Sequence, residues 1–339
     1  MNIPESAVAL VLAVPNALLT FDMAVNGYGM TFQCRLCGST NIRELFIAQE
    51  YPICKCGDCD IVFTGKSFKA EEQAEFYKTR YYAAAADYAA KLKQSAMSDN
   101  EDHQERVKAI SKMILKKKGS VLDVGCAAGA LLAAFKSAGW ECYGIEPSAD
   151  LAAYARTAVG CEVHEGLLES SDLPFNNFDA VTALHVLEHT SNPLAFLKRC
   201  HKLLRKGGIL LIEVPDFGST SARTKKESWL PLYPDTHLFH FTDRTLIRLL
   251  TDAGFRVERL RRYGGLGALA PTALKSVKEE NSFCNFTSNR TCSIDRAKEY
   301  IFVMRKYFYR VPAIKKLIRY FYWHVFGMND FMRSYARKI

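Results

Sequence analysis

A chain of 339 residues with 49% hydrophobic and 24% charged residues has the make-up of a soluble globular protein, which excludes disorder over most of its length. The formal net charge is +9, but 11 Lys/Arg against three acids (Asp295, Glu299, Asp330) between Ser293 and Ile339 place +8 of it in the tail. The near-neutral remainder argues against a nucleic-acid-binding face on the body of the protein.

Residues 1–30 read as an extension without order. The apolar run from Ala7 to Phe21 is short for a membrane span, is broken by Pro15 and Asn16, and has no basic stretch ahead of it to make a signal peptide. Residues 31–65 hold five of the 11 cysteines. Cys34-x2-Cys37 and Cys56-x2-Cys59 make two knuckles, each placing two thiolates on one tight turn beside Gly38 or Gly57. Together they offer the four-sulfur tetrahedron that zinc prefers, so residues 31–65 are expected to be a ribbon around a structural zinc. Cys54 is an alternative to Cys56 that the spacing disfavours, and the strand-like stretch 61–63 would complete the ribbon. Four protein ligands close the site to catalysis. The cations here (Arg35, Arg43, Lys55, Lys66) are balanced by Glu44, Glu50, Asp58 and Asp60, a poor phosphate footprint. Scattered thiols beside one tight cluster suit a reducing compartment, so the expected location is cytoplasmic.

Residues 66–118 read as a helical linker. Its Ala- and Tyr-rich part from Glu72 to Lys93 would be a helix covering the cofactor, with Tyr81 and Tyr82 used for packing rather than binding. Residues 119–263 then alternate strand and helix. SVLDV (120–124) is a short apolar strand, GCAAG (125–129) a small-residue turn and ALLAAFKSAG a helix stopped by Gly139. ECYGIE (141–146) is a second strand, and a second helix starts at Asp150. This is a βαβ unit with a glycine loop at its first turn. Such a loop alone would suit several nucleotide cofactors, but three details favour S-adenosylmethionine. Asp123 precedes Gly125 by two positions as D-x-G. The loop reads G-x-A-x-G and lacks the spacing of a dinucleotide fingerprint. Glu146 ends the second strand 21 positions after Gly125, where its two oxygens can accept from both ribose hydroxyls. Further on, FDAVTALHVLEH (178–189) is a buried strand running into a polar loop. PLAFLKRCHKLLRKGG (193–208) is an amphipathic helix and ILLIEVPD (209–216) a strand. DRTLIRLLTDAGFRVERLRR (243–262) is a helix, a turn at Gly254 and a strand. The expected fold is α/β, a Rossmann-like doubly wound sheet with an N-terminal zinc ribbon and a basic helical tail over 264–339.

CRLCGS, CDIVF, VLDVGCAAG, YGIEPS, FDAVTALHVLEH, LLRKGGILLIEVPD and HLFHFTDRTLIRLLTDAGF together resemble class I S-adenosylmethionine-dependent methyltransferases that carry an N-terminal zinc-binding segment. Bacterial sugar and secondary-metabolite methyltransferases are of this kind. The resemblance spans about Thr31 to Tyr263. It implies cofactor contacts from Asp123, Gly125, Cys126, Gly129 and Glu146, with Gly166, Leu167 and His185 lining the adenine side or the pocket wall. Two positions depart from the pattern. The family's middle loop glycine is Ala127, and the acid often found after the third strand is replaced by Leu167 and Leu168, which leaves the adenine to a backbone carbonyl or to Asp172.

Methyl transfer to a hydroxyl needs donor and acceptor held in line and a group to take the proton. Four of the eight histidines fall in two segments expected at the carboxyl ends of the strands: His185 and His189, then His237 and His240. His185 and His189 have bland readings as packing and as part of a turn with Glu188. His237 and His240 follow SWLPLYPD, which reads as a lid that also offers Tyr233 and Asp235. His237 matches the family's histidine best and is the expected base, with His240 and His189 behind it. The expected acceptor is a small molecule, a sugar or glycan-linked substrate, with no nucleic-acid partner. The rival is a nucleic-acid or protein methyltransferase guided by the ribbon. Against it, His185-Val186-Leu187-Glu188 stands where enzymes acting on planar nitrogens carry N/D-P-P-Y/F. In the tail, Ile314, Leu317, Ile318, Phe321 and Val325 recur at helical spacing beside Lys315, Lys316 and Arg319. That stripe would pack on the domain or, through residues 312–339, make peripheral contact with the inner face of a membrane.

Overall fold

A computed structural model describes residues 33–66, 90, 93, 100–115, 118–264 and 329–339. The N-terminal extension, Tyr81 and Tyr82 of the expected cap, and the stripe at 314–325 lie outside the described residues.

The ribbon contributes strands β1 (Ile42–Ala48), β2 (Tyr51–Cys56) and β3 (Val62–Thr64). Helix α1 (Glu101–Met113) follows, started by Asn100, whose side chain accepts from the Asp102 amide. Then come β4 (Ser120–Val124), α2 (Ala130–Ser137), β5 (Glu141–Glu146), α3 (Ala149–Val159) and β6 (Glu162–Glu165). After them lie β7 (Phe178–Leu184), α4 (Pro193–Leu203), β8 (Leu204–Pro215), α5 (Thr220–Lys225), β9 (Phe239–His240), α6 (Asp243–Asp252), β10 (Phe255–Tyr263) and β11 (Phe331–Lys338). Local chemistry accounts for the helix ends. Ser148 caps α3, which stops at the left-handed Gly160. Asn192 caps α4 with Pro193 in its first turn, and Thr242 with Thr245 forms a capping box on α6.

Seven strands form the main sheet in the order β10-β11-β8-β7-β4-β5-β6. Among the pairs, β4 with β5 and β7, β5 with β6, and β7 with β8 are parallel, while β11 runs antiparallel to both of its neighbours. The central β4 is buried along its whole length, as an apolar strand covered on both faces must be. Order reverses at β4, which leads outward to β5 and β6 and is flanked on its other side by β7. That reversal opens the crevice at the carboxyl ends of β4, β5 and β7.

Three features differ from the sequence reading. The helix expected over 193–208 ends at Leu203. Leu204 turns extended to pair with Phe178, and the amides of Asn176 and Asn177 donate to the last carbonyls, Lys202 and Leu203. Second, the expected helical tail over 264–339 finishes as a strand. Phe331–Lys338 inserts between β8 and β10 and buries Met332, Ser334, Tyr335 and Ala336. Third, the ribbon is not closed by its own residues. Its four-stranded sheet, β1-β2-β3-β9, takes the last strand from the segment holding His237 and His240. Thr64 donates through its amide to the Leu238 carbonyl (3.0 Å) and through Oγ1 to the His237 carbonyl (2.8 Å). One continuous core runs from Cys34 and Cys59 through Phe63 and Phe239 to Val181 and Ile212.

Candidate active site

In the ribbon, Cys34 Sγ lies 3.5 Å from Cys59 Sγ, and Cys37 Sγ lies 3.6 Å from Cys56 Sγ. All four sulfurs lie within 4.8 Å of one another. A tetrahedron with Zn–S bonds of about 2.3 Å has edges of roughly 3.8 Å, so the donor set fits zinc closely. Cys54 stands apart, with its thiol on the Pro52 carbonyl. Burial pushes the Cys34 thiol up to about 11, a state that a divalent cation would reverse by binding the thiolate.

The loop from Gly125 to Gly129 connects β4 to α2. Gly125 has φ +69°, and a Cβ there would sit 2.6 Å from Val186 Cγ2. Gly129 has φ +84°, and a Cβ would meet the Val159 side chain at 2.8 Å. Ala127 also lies in the left-handed region, at φ +47°, so the departure from glycine there carries a backbone cost of about 1 kcal/mol. The loop is held by Glu146. Its Oε2 accepts from the Ala127 amide and its Oε1 from the Ser148 amide, both at 2.9 Å. Each oxygen keeps a lone pair for a ribose hydroxyl. Asp123 accepts from Thr182 Oγ1 at 2.6 Å. Burial raises both carboxyls, each to about 7, and Asp123 adds to the rise at Glu146. Cys126 is buried behind the loop, its amide donating to Ile145. Gly166, with φ +135°, donates to the Glu146 carbonyl, and Leu167 follows half-buried. Asp172 is exposed. The structure thus brings Asp123, Gly125, Cys126, Gly129, Glu146 and Gly166 to the ends of three adjacent strands.

On the other side of the crevice, β7 is followed by His185, a non-glycine residue at φ +56° whose amide donates to the Glu213 carbonyl. Strained backbone of this kind concentrates at functional sites. His185 Nδ1 lies 3.4 Å from Glu188 Oε1. Glu188, His189 and His237 converge, with donor atoms within 4.8 Å of one another, and the rings of His189 and His237 are 4.6 Å apart. Tyr233 packs edge-on against His237 at 5.4 Å. His240 does not join this cluster. It lies in β9, 3% exposed, with Nε2 3.1 Å from Thr64 Oγ1 and its ring against Phe217.

Behind the cluster is a buried charge network that the sequence reading missed. Glu213 receives two bonds from Arg106, Nε at 2.7 Å and Nη2 at 2.8 Å, and further bonds from Tyr263 and Arg333. Burial alone would raise the Glu213 carboxyl. The bidentate Arg106 and the charge of Arg333 bring it down to about 2 instead. A lone acid in the apolar run ILLIEVP was the available signal; its partners come from three separated segments.

The fold and the loop define the class: a Rossmann-like sheet with one antiparallel strand near its edge, a glycine loop after the first parallel strand and an acid ending the next, as in class I S-adenosylmethionine-dependent methyltransferases. Residues 95–260 match the family model described as methyltransferase domain, and this segment belongs to that family. A ubiquinone biosynthesis O-methyltransferase of Rhodopseudomonas palustris (strain TIE-1) is 35% identical over 97 residues, 27% of this chain and 38% of its own length. One from Xanthomonas campestris pv. campestris (strain B100) is 35% identical over 98 residues, 27% and 41% of the two lengths. The matches therefore span about two fifths of those relatives. Among solved structures, the 1,6-didemethyltoxoflavin-N1-methyltransferase of Burkholderia thailandensis has 15% identity and a TM-score of 0.49, covering 87% of this chain and 99% of its own. A SAM-dependent methyltransferase from Archaeoglobus fulgidus has 20% identity and a TM-score of 0.45, covering 76% and 100%.

Proposed function

We propose that the protein moves a methyl group from S-adenosylmethionine to a hydroxyl of a small-molecule acceptor. The observation that carries this reading is the pair of buried carboxyls, Asp123 and Glu146, flanking a left-handed glycine loop at the sheet's reversal point. The cofactor supplies an electrophilic methyl. Glu146 binds and orients its ribose while bracing the loop, and Gly125 and Gly129 admit its aminoacyl end. The acceptor lies under the segment from Trp229 to His237, and its proton leaves at the cluster of Glu188, His189 and His237 rather than at His240. The ubiquinone biosynthesis O-methyltransferase relatives support oxygen as the acceptor atom. A sugar or glycan-linked acceptor is the finer reading, from the sequence resemblance. Labelled cofactor incubated with nucleotide sugars, phenols, RNA and protein fractions tests it. Label in a small molecule, located on oxygen by mass spectrometry, is the expected result, and label confined to RNA or protein overturns it. Membrane contact through the tail would fall to residues ahead of Asn329, since β11 is committed to the sheet.

Glu146→Ala is expected to weaken S-adenosylhomocysteine binding by about 1.5–3 kcal/mol for each lost hydrogen bond, measured by titration calorimetry. The same carboxyl sets a pH dependence. Its folded pKa lies above the ordinary value, so burying its charge costs the free protein stability as pH rises from the ordinary carboxylate range to about 7. Cofactor hydroxyls favour the ionised form, so affinity is expected to run the other way and rise with pH through about 7. Affinity that is flat with pH in the wild type, or unchanged in Glu146→Ala, would remove Glu146 from the ribose site.

The four ribbon cysteines are proposed to hold one structural zinc. Cys56→Ser is expected to lose the metal and to melt far below wild type, because β9 ties the ribbon to the cluster and metal binding is coupled to folding. Elemental analysis and a thermal melt check both parts.

A further inference from the structure

Glu188 is 1% exposed, and neither carboxylate oxygen receives a hydrogen bond of good geometry; among the described residues His185 Nδ1 approaches Oε1 as an ion-pair partner, at 3.4 Å. A buried carboxylate without well-placed donors carries a heavy desolvation cost, and a cation beside it is one of the few arrangements that offsets that cost. The two imidazoles next to it are prepared for that role. His189 turns Nδ1 to the Thr236 carbonyl at 3.0 Å, which makes Nδ1 the donor and Nε2 the lone-pair nitrogen. His237 Nδ1 is buried without a hydrogen-bond partner. A ring N–H resting on a backbone carbonyl, with the opposite nitrogen turned to a shared point, is how metal-bound histidines are held.

We propose that Glu188, His189 and His237 hold a catalytic divalent transition-metal ion, distinct from the four-cysteine zinc. Two imidazoles and one carboxylate suit zinc, cobalt or iron(II) better than magnesium or calcium. Three protein ligands leave positions open for the acceptor oxygen. The assignment rests on the methyl-transfer reading and deepens it. Bound to the ion, the acceptor hydroxyl becomes acidic enough to release its proton to water. Its oxygen then forms the O–CH3 bond as the S–CH3 bond of the sulfonium breaks, and the electron pair stays on sulfur as a neutral thioether. His237 is then a ligand and not a base. His185, half-exposed at 3.4 Å from Glu188, lies at the mouth of the site.

Cobalt(II) titration of metal-stripped, full-length protein tests this. Wild type is expected to bind two equivalents. One shows the intense thiolate-to-cobalt charge-transfer band of the cysteines, the other only the weak ligand-field bands of nitrogen and oxygen donors. Glu188→Gln and His237→Ala are each expected to weaken the second site at least about 10-fold and to leave the thiolate band intact, which also reports that the variants are folded. Wild type that binds cobalt at the cysteines alone, or both variants binding two equivalents as wild type does, overturns the proposal. S-adenosylhomocysteine calorimetry on the same samples separates the two readings. Loss of that binding in wild type would sink the methyltransferase reading, whereas the cobalt spectra decide the metal.

Discussion

A chain ending at Asp330 is expected not to fold. The missing residues are the whole of β11 and Ile339. β11 pairs with β8 from Ile209 to Pro215 on one side and with β10 from Phe255 to Tyr263 on the other. Without it β10 has no neighbour, and β8, the most buried long strand, becomes an open edge. The loss also removes Met332, Tyr335 and Ala336 from the core, at about 1.5–3 kcal/mol for each large side chain. Arg337 no longer reaches the carbonyls of Met113 and Gly207, nor Lys338 that of Leu204. Phe331 also packs its ring edge-on at 5.2 Å from that of His185, so the active-site wall goes with it. That loss is comparable to the 5–15 kcal/mol that ordinarily holds a protein folded. Soluble yield, circular dichroism and a melting curve would show it. A truncated protein melting cooperatively at the wild-type temperature would mean that this strand is dispensable.

Glu213→Ala is expected to cost about 3–5 kcal/mol, the usual penalty for leaving a buried charge without its partner. Here two arginines lose their acceptor, and Arg106 is itself buried. Because the folded pKa of Glu213 lies below its unfolded value, its contribution is present above the ordinary carboxylate range and is lost as pH falls toward about 2. Urea unfolding at neutral pH should show the full loss, with the difference between variant and wild type narrowing in acid. The variant should still bind S-adenosylhomocysteine when folded, since Glu213 lies behind the acceptor side and not on the ribose side. Unchanged urea stability would mean that Arg106 and Arg333 find other acceptors.

The residues themselves determined whatever depended on short spacings. Two x2 cysteine knuckles, a glycine loop between an apolar strand and a helix, and an acid at the end of the following strand each need only local chain geometry to be read. The same is true of β4 and β7, whose apolar runs match buried parallel strands. Tertiary structure decided the rest. FMRSYARK alternates too weakly to announce a strand; it becomes one because β8 and β10 leave a strand-wide slot between them. β9 is two residues long and exists only because the ribbon offers an edge. That pairing buries His240 against Thr64 and turns His237 toward Glu188, a division of roles that the residues of HLFHF do not show by themselves. Glu188 itself looks like an ordinary turn residue until the folded chain takes water away from it and supplies two imidazoles instead. Long-range partners such as Arg106 and Arg333 for Glu213 cannot be read from spacing, because a buried charge is neutralised by whichever segment the sheet order brings beside it.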